Sequence, residues 1–402
     1  MNLLYVAFIR ENSVYKGVFK KVISQCIAFK KEFENVYLYI SRNDEAVLYK
    51  VEKGNIEEIK IFKYNIFSAF KEESKITDIK TFLRYNAFLK YLNEIIRLHK
   101  IHILYVRKLL PTKRLMTILK NNRLIKVIEY PTYPYEGEYK SIRSKIKQFI
   151  FENNNSKKIE GLVNLVVAIS AEKNLKVGKK FILINNGIQV DSVKVKKQDK
   201  KNYVNLLSIA NVALWHGYDR IIKGLHEYYK NNPEKEIYYH FVGEGPELTN
   251  LKKLTKELSL EKYVIFHGTK TGEDLDKVVD ECDIAFGSLG NHRKGLYADS
   301  ALKNREYCAR GIPFVIASED QDFPESFPFV FRVPPDESPI DIDKVIQWYE
   351  NLSMKHPDFS AQMRKYAEEN LSWDAKMRPV INRINSIAEL ENVKSYIQSV
   401  ER

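Results

Sequence analysis

Cysteine is scarce. The 402 residues contain three, Cys26, Cys282 and Cys308, far apart and with no Cys-x-x-Cys. That argues against a disulfide framework and against a structural zinc site. His-Glu-x-x-His is missing as well; His99 and His102 stand three apart without the glutamate and read as ordinary histidines. Asp341 and Asp343 spell Asp-x-Asp, but they open a helix late in the chain, where acids suit the helix dipole. No metal is therefore expected. No apolar run approaches the roughly 18–20 residues of a membrane span. The first apolar run, Leu3 to Ile9, lacks a preceding basic region and stops at Arg10, unlike a signal peptide. The expectation is a soluble protein of a reducing cytoplasm. No repeat at a fixed spacing of roughly 20–50 residues is visible. Nucleic-acid modules are absent too, and the basic residues His292 to Lys294 and the lysines near 200 lack interleaved aromatics.

Apolar and basic residues are plentiful. Hydrophobic residues at 44% and charged residues at 29% describe a globular chain rather than a disordered one. At roughly 150 residues per domain, two or three domains are expected. The net charge of +13 favours anionic partners such as phosphorylated substrates or an anionic membrane.

Strand and helix patterns alternate along the chain. Leu3 to Ile9 is continuously apolar, as a buried parallel strand requires. A turn over 11–17 and a helix from Val18 to Phe33 follow. Strands are expected over 36–40, 101–106, 125–129, 162–169 and 180–184, a hairpin over 45–65, and helices over 82–98 and 111–120. A basic amphipathic helix over 138–151 carries Lys140, Arg143 and Lys147 beside an apolar stripe. Between 191 and 202, Lys194, Lys196, Lys197, Lys200 and Lys201 crowd together, and this stretch reads as a solvated linker. The alternation then restarts, with strands over 203–210, 236–242, 263–266, 283–286 and 313–317. Helices lie between them and continue to the end. Two such halves predict two doubly wound α/β domains, with ligands beyond the carboxyl ends of the strands.

The most informative segment is Ser300-Ala-Leu-Lys-Asn-Arg-Glu306-Tyr-Cys-Ala-Arg-Gly311-Ile-Pro313. It reads as a helix with Asp299 or Ser300 as N-cap, closed by Gly311 and Pro313. Open amides at such a helix start form a phosphate site. Ser300 and Lys303 add a hydroxyl and an ammonium there. The Glu306 carboxylate, under two turns on, is placed to accept hydrogen bonds from a sugar diol.

Five further segments accompany it in order: Asn186-Gly-Ile188, Leu206–Ala210 with Trp215-His-Gly-Tyr-Asp219, Phe241-Val-Gly-Glu-Gly-Pro246, Phe266-His-Gly268 and Ser372-Trp373. Together they resemble the C-terminal half of GT-B glycosyltransferases, close to family 4, the glycosyl transferases group 1. The likeness covers roughly 180–375 well and 1–180 in outline. It implies an acceptor-binding Rossmann-like domain over 1–188, a Lys-rich linker over 189–202, and a nucleotide-sugar-binding Rossmann-like domain over 203–372. A final helix, 373–402, would cross back to the first domain.

The resemblance also implies site residues. Glu306 would bind the donor ribose, and Ser300, Leu302 and Lys303 the diphosphate. Gly243 and Gly245 would let backbone approach the donor, and His267, Gly268 and Thr269 would edge the base. Gly17 would face the diphosphate from the first domain. Two departures stand out. Ala298 occupies the place of an acid eight residues before Glu306, with Asp299 beside it. Asn211 and His216 replace an arginine and a lysine, with Arg220 and Lys223 one turn on as substitutes. Lys303, Glu306, Arg220 and Arg107 are the expected catalytic residues. Arg107, Glu129, Tyr130 and Tyr133, at carboxyl ends of first-domain strands, are the expected acceptor contacts.

The implied reaction is a retaining, metal-independent transfer from a UDP- or GDP-type sugar, without cofactor, to a glycan or lipid-linked acceptor. The helix over 138–151 reads first as an ordinary one, stripe in the core and lysines in water, and otherwise as a contact with an anionic membrane at its inner face. The alternatives are an epimerase or hydrolase of the same fold, or a partner subunit that binds without chemistry.

Overall fold

The computed structural model describes residues 1–9, 16–42, 45–64, 74–133, 153–172, 175–197 and 201–400. The chain divides into two compact units. One comprises 1–170, 175–185 and 376–402; the other comprises 171–174 and 186–375. The basic helix expected over 138–151 lies outside the described residues.

The first unit is built on β1 (Asn2–Ala7), α1 (Lys16–Lys30), β2 (Asn35–Arg42), β3 (Glu45–Glu52), β4 (Asn55–Lys63), α2 (Ser74–Leu98), β5 (Ile103–Arg107), α3 (Lys113–Leu119), β6 (Ile125–Tyr130), α4 (Asn153–Leu162), β7 (Leu165–Ile169) and β8 (Phe181–Ile184). Its sheet runs β4-β3-β2-β1-β5-β6-β7-β8. β1 pairs in parallel with β2 and β5, so the strand order reverses between β1 and β5. Covered on both faces, Leu3 to Ala7 are wholly buried, which explains their unbroken apolar run. The β3–β4 hairpin turns at Gly54, whose φ of +81° suits glycine. β4 is an exposed edge strand rich in Glu and Lys, which discourages further pairing.

The second unit is built on β9 (Val204–Ile209), α5 (Asp219–Lys230), β10 (Ile237–Val242), α6 (Leu248–Glu257), β11 (Val264–Phe266), α7 (Glu273–Asp280), β12 (Ile284–Phe286), α8 (Leu302–Arg310), β13 (Phe314–Ile316), β14 (Val330–Arg332), α9 (Ile342–Lys355) and α10 (Phe359–Tyr366). Its sheet, β11-β10-β9-β12-β13-β14, is parallel throughout. Successive residues enter opposite cores: Leu206 joins the cluster with Ile221, Leu225 and Phe241, whereas Leu207 joins the one with Tyr307, Phe314 and Met363. Gly311 closes α8 at φ +71°, where a β-carbon would meet the Ser360 carbonyl oxygen at 2.7 Å. The last helix, α11 (Trp373–Val400), starts in the second unit and joins the first from Lys376.

The lysine-rich stretch departs from the expected solvated linker. Residues from 186 onward belong to the second unit, where Ile188 bridges to Ser372. Lys196 is buried, its amide donates to the Arg310 carbonyl at 2.8 Å, and its ammonium donates to the Cys282 carbonyl. Lys194 and Lys197 both contact the Asp280 carboxylate. Local composition predicts solvation; specific acceptors at the end of α7, just before β12 and at the end of α8 override it, letting the aliphatic stem pack.

Candidate functional site

In the second unit the strand order reverses between β9 and β12, which opens a crevice at their carboxyl ends. α8 starts there. Its N-cap is Ala301, extended at φ −68° and ψ 129°, with no side chain capping the helix. Neither Asp299 nor Ser300 caps it, contrary to expectation. The Asp299 carboxylate accepts from the Ser300 amide at 2.7 Å, and the Ser300 hydroxyl accepts from the Asn186 amide at 3.2 Å. The side-chain amide of Asn186 donates to the Ser300 carbonyl at 3.1 Å. The first amides of α8 thus point out of an uncapped, positively polarised end. Leu302 is exposed, so its backbone is open to a ligand.

Lys303 lies in the first turn of α8. Its ammonium donates to the Tyr218 hydroxyl at 3.1 Å and sits 5.5 Å from that ring. Burial pushes its pKa down to about 7, with Asp299 pulling weakly the other way. An arriving anion restores its charge. Glu306 is partly exposed, and its Oε1 accepts from Arg310 Nε at 3.1 Å and pairs with Nη2 at 3.0 Å. Arg310 in turn donates to Asp276 of α7 at 2.6 Å. Both contacts to Glu306 fall on Oε1, which leaves Oε2 for a diol.

Arg305 is a functional support not singled out in the sequence. Wholly buried, it donates to Asp320 at 2.6 and 2.8 Å, to Asp322, to the Asn186 carbonyl at 3.2 Å and to the Ala301 carbonyl at 3.1 Å. It ties the N-cap of α8 to two other segments. Its helical phase with the apolar Cys308, Ala309 and Ile312 is the one signal of its inward direction.

The substitutes for the missing cations behave differently from one another. His216 is half-buried, and its Nδ1 accepts from the Ala213 amide at 2.9 Å, which puts the proton on Nε2. Burial, reinforced by Lys303, pushes its pKa down to about 3. It offers a hydrogen bond and no charge. Arg220 is not a site residue. It is wholly buried and donates to the carbonyls of Ser338 (2.7 Å), Leu289 (2.6 Å) and Pro334 (3.0 Å) and to Asp336 (3.3 Å). Lys223 pairs with Asp219 at 3.0 Å and lines a separate cavity of about 520 Å³ with Arg293 and Glu337. His216 precedes the left-handed Gly217 (φ +64°), so Arg220 and Lys223 on α5 do not share its helical phase.

Gly243 and Gly245 are required by the chain's own packing. At φ +134° and +137°, a β-carbon on each would lie 1.9 Å from the Ala210 carbonyl oxygen and 2.2 Å from that of Val212. Their bareness lets 210–212 lie against the loop after β10, fastened by the Val212 amide on Glu244 at 2.6 Å. The Gly243 amide donates to Gly268 at 2.8 Å, which brings in the loop after β11. There, His267 Nε2 meets His240 Nδ1 at 2.9 Å, so the pair shares one proton. Burial holds both histidines down, His240 to about 4 with help from His267. His240 was not foreseen from the sequence. Gly268 is left-handed at φ +66°, and Thr269 is exposed.

In the first unit, Arg107 and Glu129 are register partners on β5 and β6, one strand beyond the reversal between β1 and β5. Glu129 is buried, not an open acceptor contact. It accepts from Arg107, from Tyr105 at 2.7 Å, from Gln25 at 2.8 Å and from Tyr5 at 3.4 Å. Four donors around one carboxylate make a structural hub. Arg107 keeps a partly exposed edge. Burial, with Arg107 adding to it, lowers the nearby Lys21 on α1 to about 8, a perturbation the sequence did not signal. Tyr130 is also buried, its hydroxyl donating to Glu160 at 3.1 Å. Tyr133 packs at 5.9 Å from Phe181 and 6.2 Å from Tyr130. Tyr130 is not an open stacking platform, because its ring finds the core first, whereas Tyr133 is half-buried against that core. Gly17 is exposed in the first turn of α1.

Comparison with known proteins fits this geometry. Residues 189–369 match the family model described as glycosyl transferases group 1. No curated protein matches the chain. Among solved structures, the chain is similar to a glycosyltransferase from Rickettsia africae ESF-5, at 14% identity and a TM-score of 0.60, covering 96% of this chain and 98% of that one. It is similar to Anabaena Alr3699/HepE in complex with UDP, at 13% identity and 0.57, covering 98% and 100%. It is also similar to the lipopolysaccharide outer core galactosyltransferase WaaB in its apo form, at 11% and 0.57, covering 96% and 99%. At these identities the likeness shows the fold, which is GT-B with two Rossmann-like halves. The matched residues 189–369 all lie within the second unit.

Proposed function

We propose that this chain moves a sugar from a UDP- or GDP-type nucleotide-sugar to a glycan or lipid-linked acceptor, in building a surface polysaccharide or glycolipid. The uncapped start of α8 carries this reading, with Lys303 in its first turn and Glu306 one turn on. Solved neighbours support it: HepE was captured with UDP, and the pneumococcal O-GlcNAc transferase GtfA with UDP and GlcNAc.

As the anomeric bond breaks, negative charge gathers on the leaving diphosphate. Fixed donors that meet this charge lower the barrier. The α8 amides, Lys303 and the Nε2–H of His216 are those donors. Together they supply positive potential without a metal or cofactor. Retention of anomeric configuration is proposed by analogy of fold. Glu306 Oε2 accepts from the ribose, and the 267–269 loop edges the base. Arg107 is the proposed acceptor contact in the first unit. The charge of +13 suits attachment to an anionic inner membrane face, and no helix among the described residues is long and apolar enough to cross one.

A second reading, a partner subunit that binds nucleotide without turnover, is favoured by Ala298 and by the structural engagement of Arg220. Thermal shift of wild type and Glu306→Ala with UDP, GDP, ADP and CMP tests the donor site. Ligand at about 100 times its Kd adds roughly 2.7 kcal/mol. A shift with one nucleotide, lost in Glu306→Ala, is expected; no shift with any nucleotide would refute the site. Turnover of the matching nucleotide-sugar then separates the two readings.

A further inference from the structure

A second cavity lies at the carboxyl ends of β13 and β14. It measures about 790 Å³, within the roughly 300–1,000 Å³ usual for ligand pockets, and is lined entirely by second-unit residues. Tyr297, Glu319, Gln321 and Glu325 are among its walls. The sheet edge explains why a ligand belongs here. Along β11-β10-β9-β12-β13-β14, the 267–269 loop closes the β11 end, and Glu306 is tied through Arg310 to α7, which leads into β12. The α8 start sits at the reversal between β9 and β12. The base loop at β11 and the diphosphate site at the β9–β12 reversal thus set a direction along the edge, and the next position beyond them is this cavity.

Its wall is continuous with the α8 start. The Glu319 amide donates to the Tyr297 carbonyl at 2.8 Å, the Asp299 amide donates to the Glu319 carbonyl at 2.8 Å, and Ala298 bridges to Glu319. Tyr297 leaves 60% of its surface exposed, unusual for a ring with no core to join. Glu319 and Glu325 are exposed, and neither is in an ion pair among the described residues. Arg332 spends its Nη2 on the carbonyls of Phe323 and Pro324. The two carboxylates of Glu319 and Glu325 outweigh the single guanidinium of Arg332 on this wall and offer acceptors to hydroxyl hydrogens, unlike the donor-lined α8 start.

We propose that this cavity is a saccharide subsite that holds a neutral glycan portion of the acceptor. Tyr297 lies against the C–H face of a pyranose ring, and Glu319 and Glu325 accept from its hydroxyls. The subsite rests on the donor reading above, which sets the direction along the sheet edge.

Saturation-transfer NMR on the full chain with saturating UDP tests it, using methyl glucoside, methyl galactoside, methyl N-acetylglucosaminide, lactose and maltose as probes. At least one sugar is expected to show transfer from the wild type. The signal should fall at least about fivefold in Tyr297→Ala and in Glu319→Gln/Glu325→Gln, with the UDP-induced thermal shift unchanged. All three side chains are exposed, so folding is preserved. A signal undiminished in both variants, or no signal from any of the five sugars, would overturn the subsite. Failure of UDP to shift the wild type would instead overturn the donor reading.

Discussion

Raising the pH should weaken nucleotide-sugar binding through one lysine. In the free protein, burial holds Lys303 at about 7, and its ammonium donates to the Tyr218 hydroxyl. A diphosphate at the α8 start favours the ammonium and raises that pKa, so binding takes up a proton above neutrality. About nine-tenths of the lysine is charged at about pH 6 and about one-tenth at about pH 8, so Kd should rise about tenfold across that interval, or about 1.4 kcal/mol. UDP-glucose is the ligand of choice, because its esterified diphosphate does not titrate there. His216 and His240, held at about 3 and about 4, stay neutral throughout and add no slope. Calorimetry in buffers of differing ionisation enthalpy should find uptake of about 0.9 proton at about pH 8 and about 0.1 at about pH 6. Lys303→Met should bind weakly at both pH values and lose the slope, whereas Lys303→Arg should keep affinity and lose the slope. A flat wild-type Kd, or the same slope in Lys303→Met, would show that this ammonium does not meet the diphosphate.

Glu306→Ala should cost about 1.5–3 kcal/mol of UDP affinity, the range for hydrogen bonds to a charged group. It should also erase the preference for UDP over 2′-deoxy-UDP, read by competition. Arg220→Ala strips the donors from three carbonyls and a carboxylate, and should destabilise the second unit by about 3 kcal/mol or more in urea. Arg220→Lys should rescue little, because one ammonium cannot span those acceptors; a fully stable Arg220→Ala that loses only turnover would return Arg220 to the site. Gly243→Ala forces a β-carbon onto the Ala210 carbonyl at positive φ and should cost several kcal/mol, visible as a Tm drop of roughly 5 °C or more. A Tm within a degree of wild type would show that the 210–212 loop yields freely.

Sequence alone determined the elements and the edge of the sheet where chemistry belongs. The unbroken apolar run at Leu3 to Ala7 and the alternation after Val204 follow from strands covered on both faces. Gly311 with Pro313 marks the end of α8 because the left-handed φ of +71° closes a helix whatever packs against it. Local signals of this kind need no partner from elsewhere. Tertiary structure alone decided which polar side chains turn inward. Arg220 looked like a spare cation; its acceptors at 289, 334, 336 and 338 come from loops about 70 to 118 residues away. Glu129 looked like an acceptor contact until Tyr5, Gln25, Tyr105 and Arg107 converged on it. Lys196 looked solvated until the Cys282 carbonyl received its ammonium. A charged group is buried only where long-range partners offset its desolvation, and no window of sequence contains those partners.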